Sequence, residues 1–479
     1  MKHKIQALLF AILLPALCAV GQNTTQQPDG NTGATQVDGN TGATKTDNKA
    51  TSNGGDGQAA GDSVVVNLLT CSPGDQVHRL YGHTALRVIT PQEDWAVNYG
   101  WFSFNTPNFV MKFILGLTDY SMAYQTMPIF LMDFMRDDMS VTEQQLNLTP
   151  AEAKYVKDAL YKTLLSEGSD RHDYNLQDPT TGQRKQESVI AARWTYRYNF
   201  LYDNCTTRAI AVVKDALKAN GETLVYPSLS TSQETTTQRK MIHEFTTNSP
   251  WFEFGQDLLL GPEVDEEHNM QELLDGINFL PAYAQNFFQE AQIKSKDGKL
   301  RPLVGETSNL TPFLIPQERH PAFPLSPTVV MGIIAAAAVL ISFSQRKAEQ
   351  KAAAAGAKTP AQRAWRIWGN AFDFTCWTVQ GLVGILLVIM VGWSEHPAVG
   401  TNWLLLVFSP LFFLGIPARL LNKKLDFGFA CFSIAMAAAM LVVYLAGVQQ
   451  IPVGIVIFLA AIAARALVVI GLPKTALPR

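Results

Sequence analysis

The sequence predicts a chain in two unlike parts: an exported α+β domain, then an all-α transmembrane domain of five helices. Three observations predict this. The chain begins "MKHKIQALLFAILLPALCAVGQ", where Lys2 and Lys4 precede an almost wholly apolar stretch that ends in small residues. That is the pattern of a secretory signal peptide, with cleavage expected near Gln22. From Leu325 onward there are five apolar runs, roughly 325–344, 371–393, 403–421, 427–447 and 452–472. Each is near the ~20 residues that cross a bilayer. The loops between them alternate in charge. One carries Arg346, Lys347, Lys351, Lys358, Arg363 and Arg366, and another carries Arg419, Lys423 and Lys424. The alternate loops, "SEHPAVGTN" and "GVQQIP", have no Lys or Arg. The positive-inside rule puts the basic loops and the C-terminus in the cytoplasm. Five spans then place everything before Leu325 on the opposite side, as the signal peptide independently requires.

The expected segments are 1–22 signal peptide, 23–63 low-complexity tail, 64–324 exported domain and 325–479 transmembrane domain. Cys18 suggests lipidation, but Leu17 before it is too large for such a box, which favours plain cleavage. The tail repeats "DGNTGAT" at 29–35 and 38–44 and has almost no large apolar residue. Such a segment buries too little surface to offset its ordering entropy. The average composition, 47% hydrophobic with a net charge of −3, therefore mixes two different solvents' worth of sequence. The exported part alone is long enough for one sizeable domain. Without a broad basic run, nucleic acid is not an expected partner. Of five cysteines, Cys376 and Cys431 fall in spans, leaving Cys71 and Cys205 outside. Two cysteines are no disulfide framework, although one bridge between them is conceivable in an oxidising compartment.

Within the exported domain, "SVVVNLLTC" is strand-like, "SPGD" makes a turn, and "GHTALRVIT" and "WAVNYGWFSF" give two further strands. The segment 104–135 is dense in Phe, Met, Ile and Leu. Gly116, Pro128, Lys112, Asp119 and Asp133 interrupt it, so it is a poor bilayer span. "TPAEAKYVKDALYKTLLSEG" has Pro150 and Glu152 in its first turn and a helical stripe Tyr155, Ala159, Leu160, Leu164. "TTTQRKMIHEFTT", "SPWFEFGQDLLLG" and "INFLPAYAQNFFQEAQI" read as later helices.

The chemistry centres on "YRYNFLYDNCTTRAIAVVKDALKAN". An aromatic strand precedes Cys205, and Ile210, Val213 and Leu217 follow at helical spacing. Asp203 and Asn204 are good N-cap types. A thiol at that position feels the positive end of the helix dipole, which favours thiolate. The plain alternative is a buried cysteine at an ordinary cap. A thiol nucleophile usually needs an imidazole base. Among the exported histidines (His78, His83, His172, His243, His268 and His320), His83 stands at the head of a strand after a glycine. Asn98 lies on the next strand, where its amide could orient the ring and fix its tautomer. Tyr99 competes for that role. Backbone N–H groups around Asn204, Cys205 and Thr206 are the expected oxyanion donors. Cys71, Tyr81, Arg87, Tyr99, Asp203 and Arg208 are possible site-lining residues. Arg87 and Arg208 could hold a phosphate or a carboxylate of the domain itself. Cys71 could be a nucleophile, a disulfide partner or a packed thiol. No metal and no cofactor are expected.

"HTAL" at His83–Leu86 and "NC" at Asn204–Cys205 resemble the circularly permuted papain-like group that includes NlpC-type and lecithin:retinol acyltransferase-like domains. The longer series "LLTCSPGDQVHRLYGHTALRV", "VNYGWFSF", "NFVMKFILGLTDY", "YNFLYDNCTTR", "FGQDLLLG" and "FLPAY" resembles the Bacteroides-type lipoprotein N-acyltransferase family, Lnb, over about 68–291. The resemblance implies an α+β permuted papain-like cysteine domain ahead of the five spans. It implies acyl transfer from a phospholipid donor to the N-terminal cysteine α-amine of a diacylglyceryl lipoprotein acceptor at the bacterial inner membrane. Two other functions compete: a membrane-anchored cysteine hydrolase and a non-enzymatic envelope assembly factor. Oligomeric state is left open.

Overall fold

The computed structural model describes residues 63–102, 107–177, 182–229, 232, 234–312, 314 and 323–471. The expected signal peptide, nearly all of the low-complexity tail, His320 and the final basic residues lie outside the described residues.

The exported part is built on one antiparallel sheet of eight strands in the order β13-β5-β1-β2-β3-β4-β7-β6, with β6 (Ser169–Gln177) at one edge. Its centre comes from β1 (Val65–Cys71), β2 (His83–Ile89) and β3 (Asp94–Trp101). These are the three strands the sequence predicts. β1 reads as a continuous apolar run because both its faces are covered. Val66 and Leu68 pack with Val156 and Leu160 of α3 (Pro150–Leu165) and Val213 of α4 (Cys205–Ala219). On the other face Leu69 and Cys71 pack with Phe130 and Phe134 of α2 (Met127–Met135). The start of α3 is fixed as its sequence suggests. The Thr149 hydroxyl accepts from the Glu152 N–H, the Glu152 carboxylate accepts from the Thr149 N–H, and Pro150 fills the first turn. Such a box satisfies two otherwise orphaned donors.

Two parts of the domain differ from expectation. The apolar segment 104–135 is not one element. Its described residues form α1 (Phe109–Ile114), strand β4 (Asp119–Thr126) and α2. β4 is central and flanked by β3 and β7 (Arg184–Arg197), so it is buried on both faces, with Tyr120, Met122 and Tyr124 on one and Ser121, Ala123 and Gln125 on the other. The domain also does not close on helices. β11 (Gln292–Lys294), β12 (Leu300–Pro302) and β13 (Val304–Asn309) follow α7 (Pro281–Glu290), and β13 pairs with β5 (Val141–Leu146) at the sheet edge. These strands are short and polar, so pairing rather than propensity forms them.

Five segments are long and apolar enough to cross a membrane: Pro327–Ala354, Pro360–Trp393, Trp403–Leu421, Lys423–Leu445 and Val453–Gly471. The third is not one continuous α-helix. Two 3-10 turns, Trp403–Leu406 and Pro410–Leu414, precede a short helix at Gly415–Leu421. Pro410 lacks the N–H that would continue the ladder.

The two parts meet through α5 (Gln238–Thr246), α6 (Pro250–Leu259) and the loops free of Lys and Arg. Trp251, Phe254, Leu258 and Leu259 of α6 join the apolar core of the spans. Asn402 donates to the carbonyls of Leu258 and Leu259 at 2.8 and 3.2 Å, and Gln449 donates to that of Leu260 at 3.1 Å. Beneath this seam Arg239 is fully buried, 2.7 Å from Asp257 and 2.6 Å from Asp265. Asp265 also accepts the Gln450 N–H at 2.9 Å.

Candidate active site

The sheet carries helices on both faces, and the candidate site lies at the strand ends where the two layers meet. Gly82 makes the approach possible. Its φ is +79°, and a Cβ there would lie 2.4 Å from the Cys71 carbonyl oxygen. Only glycine takes this conformation without strain. His83 follows as the first residue of β2, opposite Cys71 in the β1–β2 register. Its ring stacks on Phe134 of α2 at 5.5 Å and 19°.

Cys205 is the first residue of α4, and Asn204 is the N-cap. The Asn204 Oδ1 accepts from the N–H groups of Thr206 and Thr207 at 2.8 and 3.0 Å. Its Nδ2 donates to the carbonyls of Phe200 and Phe279, both at 2.8 Å. The cap therefore pins the helix start to two separate loops. It also takes up the Thr206 N–H, one of the expected oxyanion donors. The Cys205 N–H, which has no partner among the described residues, keeps that capacity.

Cys205 and His83 act on each other as a charge pair within the site. Burial alone pushes the Cys205 thiol up. The charge of His83, its hydrogen bond, and those from the Thr84 N–H and the Thr206 hydroxyl outweigh burial and lower the thiol to about 7. For His83, burial favours the neutral ring, but the Cys205 charge and the hydrogen bonds to Cys205 and Asn98 raise it above its ordinary value. The two shifts describe one thing, a pair that stabilises thiolate beside imidazolium.

Asn98 sits on β3, with Oδ1 2.8 Å from His83 Nε2. Its amide orientation is set from behind. Asn98 Nδ2 donates to Gln125 Oε1 at 2.6 Å, and Gln125 Nε2 donates to Asp133 Oδ2 at 2.9 Å. An ionised carboxylate only accepts. Because Asn98 Nδ2 is committed to Gln125, Asn98 Oδ1 accepts from His83 Nε2, which leaves Nδ1 as the ring nitrogen free to serve the thiol. Burial pushes Asp133 above the ordinary carboxylate range, and the Gln125 hydrogen bond and Arg79 pull it back.

The other expected residues are distributed as follows. Cys71 and Cys205 are both free thiols and form no bridge. Cys71 is buried, and burial drives its thiol well above the ordinary value, so it is a poor nucleophile. Tyr99 points to the opposite face of β3 from Asn98 and packs in the core with Cys205 and Arg208. Tyr81 does not bond the thiol; its hydroxyl donates to Gln256 of α6 at 2.8 Å. Arg87 is not brought to the thiol. It is forked onto Asp94 at 2.8 and 2.7 Å and bonded to Glu143 at 2.8 Å. Arg208 pairs with Asp203, with contacts of 2.6 and 2.7 Å, and lies 3.7 Å from the Tyr196 ring centroid. Both arginines are committed to the domain rather than presented to a ligand.

Three neighbours of the pair escape sequence reasoning. Gln125 and Asp133 lie in the apolar segment, where only the charge of Asp133 marks anything unusual. Tyr198, which flanks Gly100 together with Cys205, is one of several aromatic residues in a strand-like run. Among the described residues no cluster of His, Cys, Asp or Glu is arranged to hold a metal ion.

Comparison with known families adds two matches. Residues 51–237 match the Lnb N-terminal periplasmic domain, and residues 316–475 match the Lnb transmembrane domain. No curated protein and no solved structure gives a significant match. Two separate domain matches in the same order, over most of the chain, agree with the sheet domain and the five apolar segments. The chain belongs to the Lnb family: it is a membrane-bound lipoprotein N-acyltransferase with its N-terminal domain in the periplasm and its spans in the inner membrane.

Proposed function

We propose that Cys205 is the nucleophile of a two-stage acyl transfer from a membrane phospholipid to the α-amine of a diacylglyceryl lipoprotein. The observation that carries this reading is the pairing of Cys205 at a helix start with His83, whose ring lies 2.8 Å from Asn98 Oδ1, with the thiol lowered to about 7. Its order in the chain, with the His strand before the Cys helix, supports a permuted papain-like arrangement of residues 64–324. The spans in 325–479 would end in a cytoplasmic C-terminus, as the Lys/Arg asymmetry of the loops suggests.

In the first stage the Cys205 thiolate attacks an ester carbonyl of the phospholipid, and the Cys205 N–H stabilises the oxyanion. The C–O bond breaks, the lyso-lipid oxygen takes the proton from His83, and a thioester remains. In the second stage the lipoprotein amine attacks the thioester carbonyl. His83 takes the amine proton, the C–S bond breaks, and the thiolate is restored. Asn98 keeps the imidazole in the required tautomer throughout. Tyr198 and the buried setting of Cys205 limit water, which would otherwise hydrolyse the thioester.

The test is intact-protein mass spectrometry after brief exposure to phospholipid vesicles without acceptor. An acyl adduct mapped to Cys205, discharged by a lipopeptide as N-acyl product, is the expected result. An adduct on Cys71, or free fatty acid as the only product, would overturn the assignment.

A further inference from the structure

An unbroken series of aromatic rings leads away from Cys205. Tyr198, which flanks Gly100 together with Cys205, stacks on Tyr120 at 4.3 Å. Tyr120 meets Phe102 at 4.9 Å, Phe102 stacks on Phe109 at 5.7 Å, and Phe109 stacks on Phe113 at 5.7 Å. From Tyr120 outward exposure rises: Tyr120 is 8% exposed, Phe102 and Phe109 are half-buried, and Phe113 is 37% exposed beside Met111 at 47%. Exposed apolar side chains grouped on one short helix are uncommon on a water-facing surface.

The outer end of the series is tied to the membrane domain. The Phe113 carbonyl accepts from His396 Nε2 at 2.8 Å, and the Leu115 carbonyl accepts the Glu395 N–H at 2.8 Å. Both partners lie just beyond Trp393, where the second span ends. Gly116 allows this contact. Its φ is +69°, and a Cβ there would lie 2.7 Å from the His396 nitrogen. His396 also meets the Phe200 ring at 6.0 Å, four residues before the N-cap of Cys205. α1 therefore lies at the level where that span emerges, with Met111 and Phe113 on its open side.

We infer that the rings from Phe113 through Phe109, Phe102 and Tyr120 to Tyr198 form the track by which one acyl chain of an outer-leaflet phospholipid reaches Cys205. This rests on the acyl-transfer reading above. The occupant is argued from three features together: a purely aromatic lining, an outer end fastened to the rim of a span, and an inner end at the sulfur. The four ring-to-ring steps add up to a length comparable with one leaflet, half of the ~30 Å hydrocarbon core. The loop after the second span is then a wall of the lipid entrance as well as a connection.

The test uses the full-length Cys205→Ser protein in vesicles containing phosphatidylcholine with a diazirine near the end of one acyl chain. Photolabel is expected on the peptide covering 107–117. A second measurement uses Phe113→Asp with Cys205 intact. Acyl-enzyme formation from dipalmitoyl phosphatidylcholine is expected to fall at least tenfold, and the loss to shrink when the donor is dibutyryl phosphatidylcholine. Label confined to 327–471, or an equal loss with both donors, would overturn the track. If the wild-type protein forms no adduct at Cys205 while 107–117 is still labelled, the thioester reading falls and the track stands.

Discussion

Replacing Gln125 with Met breaks the hydrogen-bond series behind His83 without touching either reacting atom. Gln125 is 3% exposed and Asn98 4%, so water does not substitute for the lost side chain. Two bonds disappear: the 2.6 Å bond accepted from Asn98 and the 2.9 Å bond donated to Asp133. A neutral hydrogen bond is worth roughly 0.5–1.5 kcal/mol, and one to a charged group roughly 1.5–3 kcal/mol. A stability loss of about 2–4 kcal/mol follows from those two figures. The catalytic effect is separate. With Gln125 present, a flipped Asn98 amide would set its oxygen against the Gln125 oxygen. Without it that penalty vanishes, and the flipped amide donates to His83 Nε2. The ring proton then moves to Nδ1, and the base no longer faces the thiol. If the penalty is about 1.4–2.7 kcal/mol, acyl-enzyme formation falls roughly ten- to a hundredfold. The assay pairs a time course of the acyl adduct by mass spectrometry with the pH dependence of iodoacetamide alkylation. The alkylation midpoint should move from about 7 towards the ordinary thiol value of about 8.5. A Met variant that melts earlier but keeps both the midpoint and the acylation rate would refute the reasoning, since a purely structural residue behaves that way.

Further outcomes follow from the same geometry. Because the Cys205 thiol is lowered, the thiolate persists above about pH 7 and is lost as pH falls through that value, so alkylation at pH 7.5 should favour Cys205 strongly over Cys71; peptide mapping reads the ratio. Asn204→Ala removes a cap that serves two N–H donors and leaves two buried carbonyls without their amide, so the melting temperature should drop by the equivalent of about 2–4 kcal/mol. Arg239→Met leaves buried Asp265 with only the Gln450 N–H and Asp257 with only His243, which costs about 3–5 kcal/mol and should expose the α5–α6 region to limited proteolysis of the detergent-solubilised protein. Gly116→Ala strains a left-handed residue against His396, so acyl transfer should fall while the Cys205 alkylation midpoint stays near 7.

Much was legible in the linear pattern because it depends on local physics. Apolar length marks the five membrane segments. Glu152 and Pro150 mark the start of α3, and Asn204 marks the start of α4. The strands holding His83 and Asn98 could be read from their flanking turns and apolar content. β4 could not, because its short alternation, with Tyr120, Met122 and Tyr124 on one face, lies between two apolar helical stretches of the same segment. β13 escaped for the opposite reason: a polar edge strand has almost no signal of its own.

The sequence by itself determined that this chain has an exported domain and five spans, that a cysteine starts a helix, and that a histidine heads a strand. Those features follow from composition, periodicity and capping, which act over a few residues. Only the tertiary structure decided that His83 and Cys205 act on each other as a pair, that Gln125 and Asp133 stand behind Asn98, and that Arg87 and Arg208 are spent on domain carboxylates. Such partners lie far apart along the chain, and sheet register and helix packing bring them within the few ångströms over which hydrogen bonds and buried charges act.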